Sequence, residues 1–78
     1  MPLEMGLDKL PLGVPGQVIQ MAENMPLTQR LNQFGLVPGT RICCRYRAPG
    51  GSVTAVEFRG TVVALRTRDM SAIRVQVQ

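Results

Sequence analysis

Short clusters of glycine and proline interrupt this sequence at intervals of about 8 to 12 residues, and no other feature constrains its fold as strongly. Such clusters mark turns, because glycine adopts backbone conformations closed to other residues and proline fixes its own φ. With 78 residues, the chain is long enough for one small hydrophobic core and too short for a second domain. The spacing therefore predicts a single domain of short strands that close, or partly close, into a barrel.

Five segments between the turns are predicted to be strands: residues 17–22, 41–48, 53–59, 61–67 and 72–77. In the clearest of them, residues 41–48, apolar and polar side chains alternate. The positions predicted to face the core are Ile42, Cys44, Tyr46 and Ala48. The positions predicted to face solvent are Arg41, Cys43, Arg45 and Arg47.

One short helix is predicted after the first strand. Its start lies at residues 24–26, because Pro26 suits a first turn and Asn24 or Met25 can occupy the cap. Gly35 follows at the position where a left-handed residue ends a helix. The predicted buried face is formed by apolar residues at spacings of four and three: Leu27, Leu31 and Phe34.

Residue types that carry catalysis are scarce. The sequence has no histidine and one lysine, so no serine, threonine or cysteine has an evident general base beside it. The five acidic residues are scattered, and the glycines lack the spacing of a phosphate-binding loop. We therefore predict that the protein is not an enzyme. No cofactor and no metal site are predicted, although the sulfur ligands leave a divalent transition metal ion as an alternative.

Cys43 and Cys44 are adjacent in a predicted strand, so their side chains point to opposite faces. This arrangement disfavours both a disulfide between them and a metal ion shared by them. We interpret one as a core residue and the other as an outward thiol.

The chain is basic, with nine lysine and arginine residues against five acids and a net charge of +4. Seven arginines lie in the strand-rich half: Arg41, Arg45, Arg47, Arg59, Arg66, Arg68 and Arg74. They form either a solvated face or a patch for an acidic protein, a phospholipid or a nucleic acid. Nucleic acid is disfavoured, because the aromatic residues that stacking needs are predicted to face the core: Phe34, Tyr46 and Phe58.

No segment is apolar enough to cross a membrane. The longest apolar run, residues 62–65, has four residues, whereas a span needs about 20. The N-terminal residues include acids where a secretory signal has basic residues, and they contain no apolar run. We therefore expect a cytoplasmic location.

Three motifs follow one another along the chain. Residues 30–42 read Arg-Leu-Asn-Gln-Phe-Gly-Leu-Val-Pro-Gly-Thr-Arg-Ile, a helix end followed by a Pro-Gly turn. Residues 10–19 contain two glycines before Val-Ile, and residues 60–75 contain Gly, Ala-Leu-Arg and Ile-Arg-Val. In this order and spacing, the motifs resemble those of the FeoA (ferrous iron transport protein A) family over residues 10–77. Residues 50–52 and Met70 depart from the family pattern, which has Gly-Asp-Pro and an alanine there.

The resemblance implies an all-β fold with one short α-helix, a small SH3-like β-barrel of about five strands. It assigns residues 10–78 to the barrel domain. Residues 1–9 show no clean hydrophobic period and carry Pro2 and Gly6, so we predict that they form a loosely ordered N-terminal lead-in. It also implies a non-catalytic cytoplasmic accessory protein of bacterial ferrous iron uptake. The implied partner is the cytoplasmic part of a FeoB-type membrane transporter, which carries a GTP-binding domain.

We hypothesise that the partner-binding surface combines the outer face of the helix, the turn after it and neighbouring arginines. Its six residues are Gln29, Arg30, Gln33, Leu36, Val37 and Arg41. Two other functions stay open, a small basic RNA-binding barrel and a metal-ion-binding sensor domain. Self-association through exposed leucine and valine positions also stays open.

Overall fold

The structure, a computed structural model, describes residues 3–23 and 25–78. Within them, the strands are β1 (Glu4–Gly6), β2 (Pro15–Met21), β3 (Arg41–Arg47), β4 (Val53–Phe58), β5 (Thr61–Arg66) and β6 (Ile73–Val77). Helix α1 (Pro26–Gln33) lies between β2 and β3, and two 3₁₀ helices span Leu7–Lys9 and Thr67–Ala72. Met25 is the residue that caps α1 at its start, and Asn24 lies outside the described residues.

All six strands belong to one antiparallel sheet, in the order β1-β6-β2-β3-β4-β5. Register shifts interrupt the sheet between Val18 and Gln20 and between Cys44 and Tyr46. Bulges of this kind increase the local twist and bend a sheet around its core. The predicted fold class, a small β-domain with one short helix, is confirmed, with six strands instead of about five.

The core receives side chains from β2 to β6, from α1 and from both 3₁₀ helices. Its largest fully buried side chain is Phe58, which ends β4. Residues that follow turns contribute as well, since Leu10 and Leu36 have no exposed surface. One continuous core thus holds the sheet, the helix and the connecting turns together.

The N-terminal segment departs from the prediction of a loosely ordered lead-in at residues 1–9. Strand β1 pairs with β6, from Glu4 opposite Gln76 to Gly6 opposite Arg74. Leu7 in the first 3₁₀ helix is fully buried. For residues 4–9 the prediction is therefore wrong, because three residues are too few to show a period in the sequence. Met1 and Pro2, which belong to the same predicted segment, lie outside the described residues.

The register shift in β3 exchanges two predicted side-chain orientations. Tyr46, predicted to face the core, is 60% exposed, whereas Arg47, predicted to face solvent, is half-buried. The Nε of Arg47 donates to Oγ1 of the fully buried Thr54 at 3.4 Å. A bulge adds one residue and so reverses the alternation beyond it. The predicted pattern holds for the buried Ile42 and Cys44 and for the exposed Arg45, and it is wrong at Tyr46 and Arg47.

The buried face of helix α1 is rotated from the predicted one, although the predicted burial of Leu31 is confirmed. Thr28 and Leu31 are buried, Leu27 is half-buried, and Phe34 is 54% exposed. A helix turns by about 100° per residue, so Phe34 lies roughly 90° from the midpoint between Thr28 and Leu31. The predicted burial of Phe34 is therefore wrong, and its ring lies on the flank of the helix.

Candidate partner-binding surface

The end of α1 is built by a Schellman motif. The N–H of Leu36 donates to the carbonyl of Leu31 at 2.9 Å, and the N–H of Gly35 donates to that of Asn32 at 3.0 Å. Gly35 has φ +96°, which confirms the left-handed residue predicted there. The side chain of Leu36 is fully buried. It anchors the cap in the core, so its predicted contact with a partner is wrong.

The chain then makes a tight turn, which we name the capping turn (residues 37–40). The N–H of Thr40 donates to the carbonyl of Val37 at 3.0 Å, and Gly39 has φ +97°, as a type II turn requires. The Thr40 hydroxyl donates to the Gly35 carbonyl at 3.3 Å and accepts from the Val37 N–H at 3.2 Å. The N–H of Gly39 also donates to the carbonyl of Val18 in β2 at 2.6 Å. These bonds fix the turn to both the helix end and the sheet.

Five of the six predicted surface residues are exposed. Gln29, Arg30 and Gln33 lie on the outer face of α1, Val37 begins the capping turn, and Arg41 begins β3. Two of these five residues line grooves, and the grooves differ, because Arg30 lines one and Arg41 lines the other.

The first groove, which we name the α1–β5 groove, has a volume of about 320 Å³. Its helix side is formed by Pro26, Leu27, Arg30, Leu31 and Phe34. Its strand side is formed by Val63, Ala64, Leu65 and Arg66, with Asp69 at one end. Seven of its ten lining residues are apolar, and an arginine lies on each side.

The second groove, which we name the arginine groove, has a volume of about 330 Å³ and includes Arg41, Arg45 and Arg59. The Nε of Arg45 donates to Oε1 of Glu57 at 2.5 Å, and this hydrogen bond raises the pKa of Arg45. The side chain of Arg59 lies against the end of α1, since a Cβ placed on Gly35 would be 3.2 Å from the Arg59 Cδ. Glu57 compensates Arg45, so the positive charge of the groove comes from Arg41 at the start of β3 and from Arg59 beside the helix cap.

The two cysteines point to opposite sides of β3, as predicted. Cys44 is fully buried, and its thiol lies 3.9 Å from the carbonyl oxygen of Leu7. Burial raises the pKa of the Cys44 thiol, and the positive charge of Arg47 opposes the rise without cancelling it. Cys43 is half-buried in the arginine groove.

Metal-ligand types do not cluster in the part of the chain that the structure describes. No group of three or more histidine, cysteine, aspartate or glutamate side chains is placed there to hold a metal ion. Over the same residues, no helix is both long enough and apolar enough to cross a membrane.

The residues that sequence analysis missed are those on the strand side of the α1–β5 groove. Residues 61–67 were predicted to form a strand, and β5 confirms it. Nothing in that segment indicates that it lies at the edge of the sheet. Phe34 was missed for a different reason, since its spacing from Leu31 is typical of a core residue.

Comparison with known proteins gives one family and several similar structures. A family model described as the FeoA domain matches residues 5–77. The chain is 27% identical to a FeoA-like protein from Clostridium acetobutylicum, with a TM-score of 0.85 over 99% of this chain and 90% of that one. It is 27% identical to a FeoA protein from Chlorobium tepidum, with a TM-score of 0.87 over 94% of this chain and 70% of that one.

A third structure is a zinc complex of Stenotrophomonas maltophilia FeoA, described as a prokaryotic SH3 domain protein proposed to act as a bacterial ferrous iron transport activating factor. The chain is 26% identical to it, with a TM-score of 0.78 over 96% of this chain and 88% of that one. No curated protein sequence matches the chain. These likenesses confirm the SH3-like fold predicted above.

Proposed function

The chain belongs to the FeoA family, whose members are associated with ferrous iron transport, and on that premise we propose that it is a non-catalytic accessory module that binds a ferrous iron membrane transporter. The proposed contact is the transporter's cytoplasmic GTP-binding part. The module acts by presenting a preformed surface, which supports the transporter's uptake activity.

The observation that carries the proposal is the rigid frame under the exposed residues. The Thr40 hydroxyl bonds to both Gly35 and Val37, and Gly39 bonds to β2, so the capping turn is held from both sides. A surface ordered before binding loses little conformational entropy when a partner docks. The proposed contact residues are Gln29, Arg30, Gln33, Val37 and Arg41.

The test is a binding titration of the purified protein against the detergent-solubilised transporter. We expect saturable binding by the natural protein. Arg30→Glu is expected to raise the dissociation constant roughly tenfold, because the change reverses a charge within the surface. Arg74→Glu is the matched control, since Arg74 is an exposed arginine on β6 and the change in net charge is equal. Equal affinities of the two variants for the transporter would mean that Arg30 does not contact it. No binding by the natural protein would refute the proposed accessory function.

A second candidate function, binding of single-stranded nucleic acid, is favoured by one observation. Nucleic acid is disfavoured only if the three aromatic side chains are buried, and two of them are exposed: Phe34 and Tyr46. Tyr46 follows Arg45 in β3 and both side chains are exposed, and single-strand binders combine exposed aromatic rings with positive charge. The titration therefore includes an RNA arm at two salt concentrations, where steep loss of binding with salt would support this candidate.

A further inference from the structure

We propose that the α1–β5 groove binds an extended acidic segment of a partner protein, which adds as a seventh strand to the free edge of β5. The inference rests on the proposed function only for the identity of that partner, the transporter. Strand addition supplies main-chain hydrogen bonds, and the groove supplies side-chain specificity.

The free edge of β5 can be assigned residue by residue. In the described sheet, β5 pairs with β4 alone. The hairpin between them has two loop residues, Arg59 at φ +52° and Gly60 at φ +79°, which is the geometry of a type I′ turn. The residues that flank such a turn are hydrogen-bonded to each other, and hydrogen-bonded and open pairs alternate from there.

The peptide groups of three β5 residues therefore face away from β4: Val62, Ala64 and Arg66. The same alternation places the N–H of Thr67 on the carbonyl of Ser52, and that bond is present at 2.9 Å. These three residues provide the donors and acceptors for an added strand.

This edge lacks the features that usually protect edge strands. Such strands carry lysine, proline or inward-pointing charges that prevent pairing. Val62 is 62% exposed, and Ala64 beside the groove is exposed as well. Only Arg66, at the far end, carries a charge. Most of the edge is therefore free to pair with an added strand, and it borders the apolar side chains of Leu27 and Phe34 across the groove.

The arginines of the α1–β5 groove favour an acidic peptide segment as its ligand. Arg30 and Arg66 line opposite sides of the groove and make no ion pair within the described residues, whereas Asp69 lies 3.9 Å from Arg68. The whole chain carries a net charge of +4. Carboxylates on the added strand are therefore favoured. A second copy of this chain is disfavoured, because both copies carry the same net charge of +4 and each would bring its own Arg66 to the shared edge.

The length of the edge sets the length of the segment. From Val62 to Arg66 there are four steps of about 3.4 Å, roughly 14 Å in all. About five partner residues cover this span. Apolar side chains of the segment pack against Leu27 and Phe34, and acidic ones reach Arg30 and Arg66.

The experiment selects ligands from a displayed library of random ten-residue peptides, with the intact protein as bait. We expect enrichment of extended sequences that combine acidic and apolar residues. Ala64→Pro removes an N–H that faces only the free edge, where proline is tolerated in a sheet. This variant is expected to bind a selected peptide roughly tenfold more weakly. Ala64→Thr keeps the N–H and is expected to bind like the natural protein.

Amide hydrogen exchange, followed by NMR, locates the contact. The amides of Val62 and Ala64 are expected to exchange fast in the free protein and to slow with a selected peptide bound. The amides of Val63 and Leu65, which already bond to β4, are expected to stay slow in both states. Unchanged exchange at Val62 and Ala64 would overturn the inference, as would equal peptide affinity of Ala64→Pro and Ala64→Thr.

The outcome is distinguishable from that of the proposed function. If the transporter binds the natural protein and Ala64→Pro equally well, the groove inference is wrong and the proposed function stands. If the transporter does not bind but acidic peptides bind at β5, the groove stands and the proposed function is wrong. Enrichment of basic or proline-rich peptides, or self-association through β5, would overturn the choice of occupant. Arg66→Glu, compared with Arg74→Glu, tests the charge argument by the same affinity measurement.

Discussion

Replacement of Gly35 by valine tests the architecture of the helix end directly. Gly35 has φ +96°, beyond even the left-handed region that a few other residues enter. A side chain with a branched Cβ is strained in such a conformation, at a cost of about 2 kcal/mol. Crowding adds little, because the atoms that a Cβ would meet, at 3.2 and 3.3 Å, belong to the flexible side chain of Arg59.

The expected effect is large for a domain of this size. A loss of about 1 kcal/mol lowers the melting temperature by about 4–8 °C in a domain of 60–100 residues, so Gly35→Val should lower it by about 8–16 °C. Thermal unfolding followed by circular dichroism measures this shift. Gly35→Asn is the matched control, because asparagine has a similar size and enters the left-handed region more readily. The melting temperature of Gly35→Asn should fall by about half as much as that of Gly35→Val.

Two results would refute this reasoning. A melting temperature of Gly35→Val within about 2 °C of the natural protein would mean that residue 35 does not require positive φ. Equal destabilisation by valine and asparagine would mean that loss of space, and not backbone strain, sets the cost.

Three further predictions concern buried groups. Leu36→Ala should lower the free energy of unfolding, measured in urea, by about 2–5 kcal/mol, because it leaves a cavity at a fully buried site. A loss under about 0.5 kcal/mol would mean that Leu36 is a surface residue. In native protein at pH 8, iodoacetamide should modify Cys43 and spare Cys44 until the chain unfolds. The reason is that burial raises the pKa of Cys44 and so lowers its thiolate fraction. Equal labelling of the two cysteines, measured by mass spectrometry, would contradict the burial of Cys44. Thr54→Val should lower the free energy of unfolding by about 1–3 kcal/mol in the same assay, since the Thr67 hydroxyl then lacks the Thr54 hydroxyl that now lies 2.8 Å away. Thr54→Ser keeps a hydroxyl and should be less destabilised. Equal destabilisation by both variants would mean that packing, and not the hydrogen bond, sets the effect.

Parts of the fold and of the site were accessible from sequence because they depend on neighbouring residues. The glycine after α1 and the Pro-Gly turn follow from the φ preferences of single residues. The strand at residues 41–48 follows from an alternation that any half-buried strand shows. The exposed positions Gln29, Arg30 and Gln33 follow from the turn angle of a helix.

The remaining features depend on which segments meet in space. Strand β1 exists because β6 has an open side for it, and the bulge in β3 exists in its pairing with β4. Phe34 is exposed because the core meets the neighbouring face of α1. Edge strands differ from central strands only in their partners, so no local pattern marks β5 as an edge. Sterics act between adjacent residues, so the helix, the turns and strands β2 to β6 could be predicted from local sequence. Pairing and burial act between distant residues, so β1, the bulge in β3 and the α1–β5 groove appear only in the folded chain.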